Sequence, residues 1–327
     1  MKKNTINLFQ LILIICGLIS CNKNNESGKT NPLVPVSLST IITDDISDID
    51  VNSFECGGSI TNDGNGIISS KGLCWSIHPT PTINDSISVS KINSNDFKCT
   101  IVNLIPYNTY YIRAFATNSA GTSYGAEKII TVGILTDMDN NTYKMIRIGN
   151  KTWMASNLIT THYNDGQSIP NVIDNNTWTN LSSGAYCYYN NSSSNYDKLY
   201  NWYAVNTNKL APKGWHIPTL DEINDLMDTL GGDIIAGGKL KSTSTQWNSP
   251  NAGATNSTGF TALPAGTRSY NGVTFCFLHE NAWFWTTTKY DANTAFAYVL
   301  TYLNPQLFAG GGGIDLRSGF TVRCVKD

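Results

Sequence analysis

The sequence predicts a β-rich chain of two domains: an antiparallel β-sandwich, then an α+β domain with two short helices. Two observations carry this. Short alternating strands separated by turn clusters run from Pro35 to Val132, and the texture changes at Leu135 to mixed hairpin and helix signals. A third agrees with them, since 327 residues exceed one ordinary core. The expected segments are a signal peptide over 1–20, a flexible tether over 21–34, the sandwich over 35–132 and the α+β domain over 135–327.

Lys2 and Lys3 precede an apolar run from Ile6 to Ile19, too short to span a bilayer but suited to the central region of a signal peptide. The run ends in Leu18-Ile19-Ser20-Cys21, which resembles the lipobox of bacterial lipoproteins. That resemblance implies cleavage between Ser20 and Cys21, lipid on Cys21, and a membrane held through acyl chains rather than a spanning helix. It implies a place in the cell envelope, at the outer membrane, on either face. Cleavage also removes two lysines and takes the formal charge from −2 to −4. The polar NKNNESGKTNPLVP after Cys21, with two prolines and no hydrophobic period, reads as the tether.

Charged residues make up 14% of the chain against about 25% in an average soluble protein, with no run of like charge. No basic face is available for nucleic acid. Beyond Cys16 and Cys21 the cysteines are Cys56, Cys74, Cys99, Cys187, Cys276 and Cys324, in no CxxC or Cys/His spacing. No metal or other cofactor is expected.

In the first half, Tyr110, Ile112, Ala114 and Ala116 alternate with Tyr111, Arg113, Phe115 and Thr117, a strand with one apolar face. Leu104, Pro106 and Tyr110 resemble the L-x-P-x-x-x-Y corner of fibronectin type III domains, which implies a tyrosine hydroxyl tied to nearby backbone. Gly121-Thr122-Ser123-Tyr124-Gly125 matches the G-x-S-x-G of a hydrolase nucleophile elbow, but EKIITV, a strand, comes next where a helix is required. Ser123 is therefore read as part of a hairpin.

In the second half, Tyr143 to Ile148, the Gly149-Asn150 turn and the run from Lys151 form a hairpin. Leu199, Trp202, Tyr203 and Asn206 in DKLYNWYAVN fall at helical spacing. In GWHIPTLDEINDL, Thr219 and Glu222 stand as N-cap and third residue of a capping box, with Leu220, Ile223, Leu226, Met227 and Leu230 as buried stripe and Gly231-Gly232 as stop. His216, Asp221 and Glu222 in this stretch are candidates for an acid/base or metal centre, but Glu222 belongs to the capping box and Asp221 sits in the first turn where the helix dipole favours negative charge, which leaves His216 without a visible partner and without a metal-site pattern. Trp283 and Trp285 share one face of a strand and read as core.

The ordered elements D-x-D-x-N-x-Y-K, IGNKTWMASNL, YNDG, AYCYYNN, LYNWYAVNT, PKGWHIPTLDEI, GFTALPAGTRS, WFWTTT and TVRCVKD, from Thr136 to Asp327, resemble the Fibrobacter succinogenes major paralogous domain. The resemblance implies a fold related to C-type lectins and formylglycine-generating enzymes, without an assigned activity. Relatives carry a cysteine before P-x-G-W where this chain has Ala211, so the resemblance leaves Cys187 as the alternative partner of Cys324. The Glu-Pro-Asn and Trp-Asn-Asp elements that hold calcium in C-type lectins do not occur, and the Gly310 to Gly313 run lacks the Lys-Ser/Thr of a phosphate cradle. Loop aromatics remain: Trp178, Tyr188, Tyr189 and Tyr270 are the candidate ligand contacts, for a glycan or a surface protein. The expectation is a non-enzymatic adhesion protein. The alternatives are a structural component of envelope assembly or an enzyme of the formylglycine-generating type.

Overall fold

The computed structural model describes residues 34–192 and 197–327; Ser20 and Cys21, with the expected cleavage and lipid sites, lie outside the described residues. Residues Val36–Asp327 form one compact unit. Among the described residues no helix is long and apolar enough to cross a membrane.

The first half is a sandwich of strands β1 Thr40–Thr43, β2 Phe54–Asn62, β3 Ser70–Ser76, β4 Ser86–Val89, β5 Asp96–Ile101, β6 Thr109–Asn118, β7 Gly121–Tyr124 and β8 Lys128–Thr131. One sheet has the order β1-β2-β5, the other β4-β3-β6-β7 with β8 also on β6. The alternation in the sequence closes the core: Tyr110, Ile112, Ala114 and Ala116 point inward against Phe54, Leu73, Phe97 and Ile101. The Tyr110 hydroxyl accepts from the Ile105 N–H at 3.0 Å, which makes the fibronectin-III-like tyrosine corner. Ser123 sits in the β6–β7 hairpin, 2.6 Å from the Ser39 hydroxyl, and β8 comes after it rather than a helix.

Two residues separate the sandwich from the second half, and the junction is tied on both sides. Gly133 donates to Asp50 O and accepts from Met145 N–H, at 3.0 and 2.7 Å. Asp50 pairs with Arg147 and accepts from the Thr152 hydroxyl at 2.8 Å, Tyr107 donates to Met145 O at 2.9 Å, and Lys326 pairs with Asp48. Ile49 and Val51 pack on the core of the second half. These contacts join the sandwich and the C-terminal domain within one compact unit.

The second half contains β9 Ile134–Thr136, β10 Thr142–Ile148, β11 Lys151–Met154, α1 Asn175–Thr179, β12 Tyr186–Tyr188, β13 Lys198–Tyr200, α2 Trp202–Val205, β14 Trp215–His216, α3 Leu220–Thr229 and α4 Asp233–Leu240, then β15 Ala265–Arg268, β16 Phe275–Leu278, β17 Asn281–Lys289, β18 Thr294–Thr301, β19 Leu307–Asp315 and β20 Val325–Lys326. The order β14-β20-β11-β10-β9 makes one sheet and β17-β18-β19 another. Strand periodicity splits the second sheet's side chains between two cores. Ala282, Phe284, Tyr298 and Leu300 join Ile223, Leu226, Leu230 and Leu240 from the helices, while Trp285, Ala295 and Ala297 join Tyr200, Trp202, Phe320 and Val322.

The capping box of α3 forms as its spacing predicts: Thr219 Oγ1 accepts from Glu222 N–H at 3.2 Å, and Glu222 Oε2 accepts from Thr219 N–H at 2.9 Å. The expectation of two short helices in the second half is corrected to four α-helices among the described residues. Helix α4 contains Gly237-Gly238, a pair of poor helix formers, yet a Cβ at Gly237 would lie 2.3 Å from Gln306 O. Close packing against the chain before β19 therefore requires the residue that lowers helix propensity. Helix α2 is shorter than its spacing suggests, because Leu199 belongs to β13 and Asn201 caps the helix through Ala204 N–H. The six cysteines are thiols, and Cys187 and Cys324 lie in different cores, so the bridge implied by the resemblance is not formed.

Candidate functional site

The β15–β16 hairpin and the β17–β19 sheet face each other across a groove of about 440 Å³. Its lining includes Tyr270, Phe277, Trp283, Phe320, Asp315 and Ser318, with Ser269, Asn271 and Thr274 along the hairpin side. This volume falls inside the range of about 300–1,000 Å³ for small-molecule sites. A second cavity of about 400 Å³ lies on the sandwich between Ile67 and Asn95 and has no aromatic lining residue.

The hairpin supplies the exposed rings. Residues Ala265–Arg268 pair with Phe275–Leu278, and at the centre of this pairing Gly266 and Phe277 both have left-handed backbone, φ +69° and +62°. A Cβ on Gly266 would strike the Tyr189 ring at 2.6 Å, so only glycine fits there. Phe277 has no such excuse: a bulky residue in that region costs about 1–3 kcal/mol, and the residue remains 47% exposed, so burial does not offset the strain. Tyr270 is 51% exposed, with the Arg317 guanidinium 5.6 Å from its ring centroid. On the opposite wall Trp283 stacks on Phe320, centroids 5.1 Å apart, and its indole N–H has no hydrogen-bond partner.

Beneath the hairpin, fully buried Arg268 donates to Val172 O at 2.7 Å, Gly272 O at 3.0 Å and Asn175 Oδ1 at 3.1 Å, and stacks 4.3 Å from the Trp178 ring. At the rim, Arg317 holds both oxygens of Asp315 at 2.8 and 2.6 Å. Partial burial raises the Asp315 carboxyl, but Arg317 outweighs it and keeps the group below the usual carboxylate range.

Of the four candidate contacts, the structure places Tyr270 in the groove lining. Trp178 is fully buried and donates to Arg317 O at 2.7 Å, while Tyr189 packs under Gly266 against Phe275. Tyr188 is half-buried beside Tyr186 and Lys198. Sequence patterns do not mark Phe277, Asp315 or Arg317, and they assign Trp283 wholly to the core. Trp283 does share a face with Trp285, since both rings contact Phe320, but only Trp285 is fully enclosed.

Asp137 and Asp139 of the D-x-D-x-N-x-Y-K element are engaged internally. Asp137 accepts from the N–H groups of Asp139 and Asn141, the Asn141 amide and the Tyr143 hydroxyl. Asp139 pairs with His162 and takes donors from Thr160 and Thr161; burial raises its carboxyl, but these bonds bring it down to about 2. No group of three His, Cys, Asp or Glu able to hold a metal occurs among the described residues.

His216, left without a partner by the sequence, has two. Its Nε2 lies 3.0 Å from both Glu222 oxygens and its Nδ1 2.6 Å from Asp327, and Lys151 also pairs with Glu222 at 2.8 Å. The capping glutamate thus joins α3 to β11 and β14, and His216 carries the link on to Asp327 after β20. Glu222, then Asp327, raise His216 above its ordinary 6.5 despite burial, and although burial raises Glu222, His216 and Lys151 hold it far below its ordinary 4.5. The His contribution is complete below pH 6.5 and fades as pH rises through the raised value; the Glu contribution is complete above 4.5 and fades only in strong acid. Thermal midpoints measured from about pH 5.5 to 8.5 should therefore fall with rising pH, and His216→Asn should flatten that slope.

The architecture defines a modular β-rich protein, a fibronectin-III-like sandwich carrying an α+β head with an aromatic groove. Residues 146–326, more than half of the chain, match the Fibrobacter succinogenes major domain. The chain belongs to that family. Among curated proteins none matches it. Solved structures similar to part of it include the sensor domain of the anti-sigma factor RsgI4 from Pseudobacteroides cellulosolvens, 20% identical with TM-score 0.23, covering 30% of this chain and 97% of that one. The fibronectin type III domain of the human KIAA0970 protein is 13% identical with TM-score 0.20, covering 28% and 71%.

Proposed function

We propose that the protein is a non-enzymatic, lipid-anchored component of a bacterial cell envelope, at the outer membrane, whose C-type-lectin-like C-terminal domain binds a glycan or a surface protein in adhesion. The observation that carries this reading is the groove with exposed Tyr270 and strained, exposed Phe277 opposite Trp283. Solvated aromatics on a hairpin and its turn, with amides and hydroxyls at the rim, are what a recognition site supplies. The lipid anchor rests on Leu18-Ile19-Ser20-Cys21. An oxidase of the formylglycine-generating type needs an accessible pair of cysteines, and Cys324 is fully buried with its thiol pushed far up by desolvation.

Cell fractionation tests the anchor: Cys21→Ser should move the protein from the membrane to the soluble fraction, and its retention would contradict the lipoprotein assignment. A broad array of glycans and matrix proteins tests the binding. A reproducible hit supports the reading; no hit, together with an envelope defect in a deletion strain, would replace it with a structural role in envelope assembly.

A further inference from the structure

We infer that the groove selects an uncharged glycan, gripping pyranose rings by stacking and hydroxyl contacts without a metal ion. This rests on the reading of the groove as the binding site and narrows it to one ligand chemistry.

Charge comes first. Arg268 and Asp315 are the lining residues that carry full charge near neutral pH. Arg268 is spent on carbonyls and one amide beneath the hairpin, and Asp315 is matched by the two-pronged contact from Arg317. A charged ligand would surrender its hydration and meet no uncompensated counter-charge, whereas a neutral one loses nothing on that account.

The remaining groups are complementary to a sugar. Tyr270 and Phe277 offer rings to solvent, and the Trp283–Phe320 stack offers apolar surface across from them. A pyranose presents an apolar face of C–H bonds and an edge of hydroxyls. Those hydroxyls give and take hydrogen bonds, as do the hydroxyls of Ser269 and Ser318; Asn271 donates to Thr274 Oγ1 at 3.2 Å and accepts from the Val273 and Thr274 N–H groups, which leaves its second amide hydrogen and the Thr274 hydroxyl hydrogen for a ligand. The Trp283 indole N–H is enclosed without an acceptor, so at the aromatic wall Trp283 contributes its ring rather than its donor. A peptide meets this lining less well, because each of its residues adds one fixed donor and one fixed acceptor.

The test titrates the full-length protein in detergent with neutral gluco-, manno- and xylo-oligosaccharides, with oligogalacturonate and with a sulfated oligosaccharide, each with and without EDTA. Expected is saturable binding of at least one neutral oligosaccharide, unchanged by EDTA, and weakened at least about ten-fold in the Tyr270→Ala/Phe277→Ala double variant. Binding of acidic oligosaccharides alone, or loss of neutral-sugar binding in EDTA, would overturn the inference and leave the groove as a binding site. Capture of a protein on the array that depends on Tyr270 and Phe277, with no sugar bound, would do the same. Binding of any ligand that the double variant leaves unchanged would overturn the inference and the groove reading together. Circular dichroism and thermal midpoints confirm that the variant is folded.

Discussion

Arg323→Met is expected to destabilise the C-terminal domain by about 3–5 kcal/mol, a fall in Tm of roughly 10 °C. Arg323 is fully buried and donates to Met154 O at 3.0 Å, to Phe260 O, and to Asn157 Oδ1 through two nitrogens at 3.2 and 2.6 Å. Asn157 in turn donates to Asp197, and the guanidinium lies 4.0 Å from the Phe260 ring centroid. Burial lowers its pKa to about 10, still high enough to keep it charged at neutral pH. Methionine fills much of the volume and supplies no donor, so two carbonyls and an amide oxygen are left buried without partners. Lysine restores the charge but not the planar fork, so Arg323→Lys should recover only part of the loss. Calorimetry of both variants checks this order.

Arg268→Met should damage stability and binding together. It removes the donors that fasten Gly272 to the 172–175 segment, and Tyr270 and Asn271 sit in the same turn. The expected cost is about 2–4 kcal/mol, with at least about ten-fold weaker capture of an array ligand. The cleanest comparison is with Tyr270→Ala. That exposed ring can be removed with a change of about 0.5 kcal/mol in stability, so a binding loss there reflects contact and not unfolding.

Features set by neighbours along the chain are legible in the sequence alone. The strand alternation that begins at Tyr110, the hairpin around Gly149 and the Thr219–Glu222 box each depend on residues within a few positions, and all three are present in the fold. Helix α4 is hidden because its glycines answer a packing need across to Gln306, which local propensity does not report. The partners of His216 are hidden for a related reason: Glu222 is fully explained as a cap, and Asp327 comes from 111 residues away. The groove is the least legible part. Tyr270 can be picked as a loop aromatic, but Phe277 becomes conspicuous only through its backbone angle, and Trp283 only because the strand that buries Trp285 leaves it at the margin.

If ligand occupies the groove between the β15–β16 hairpin and Trp283, the indole N–H resonances of the ¹⁵N-labelled protein report it directly while an array-identified ligand is titrated. Trp283 and Trp153 both have indole N–H groups without partners, but Trp153 is enclosed in the other core with Phe260. Expected is a saturable shift of the Trp283 signal with the Trp153 signal unmoved. A saturating ligand that leaves Trp283 unchanged while perturbing resonances of the sandwich would contradict binding in the groove.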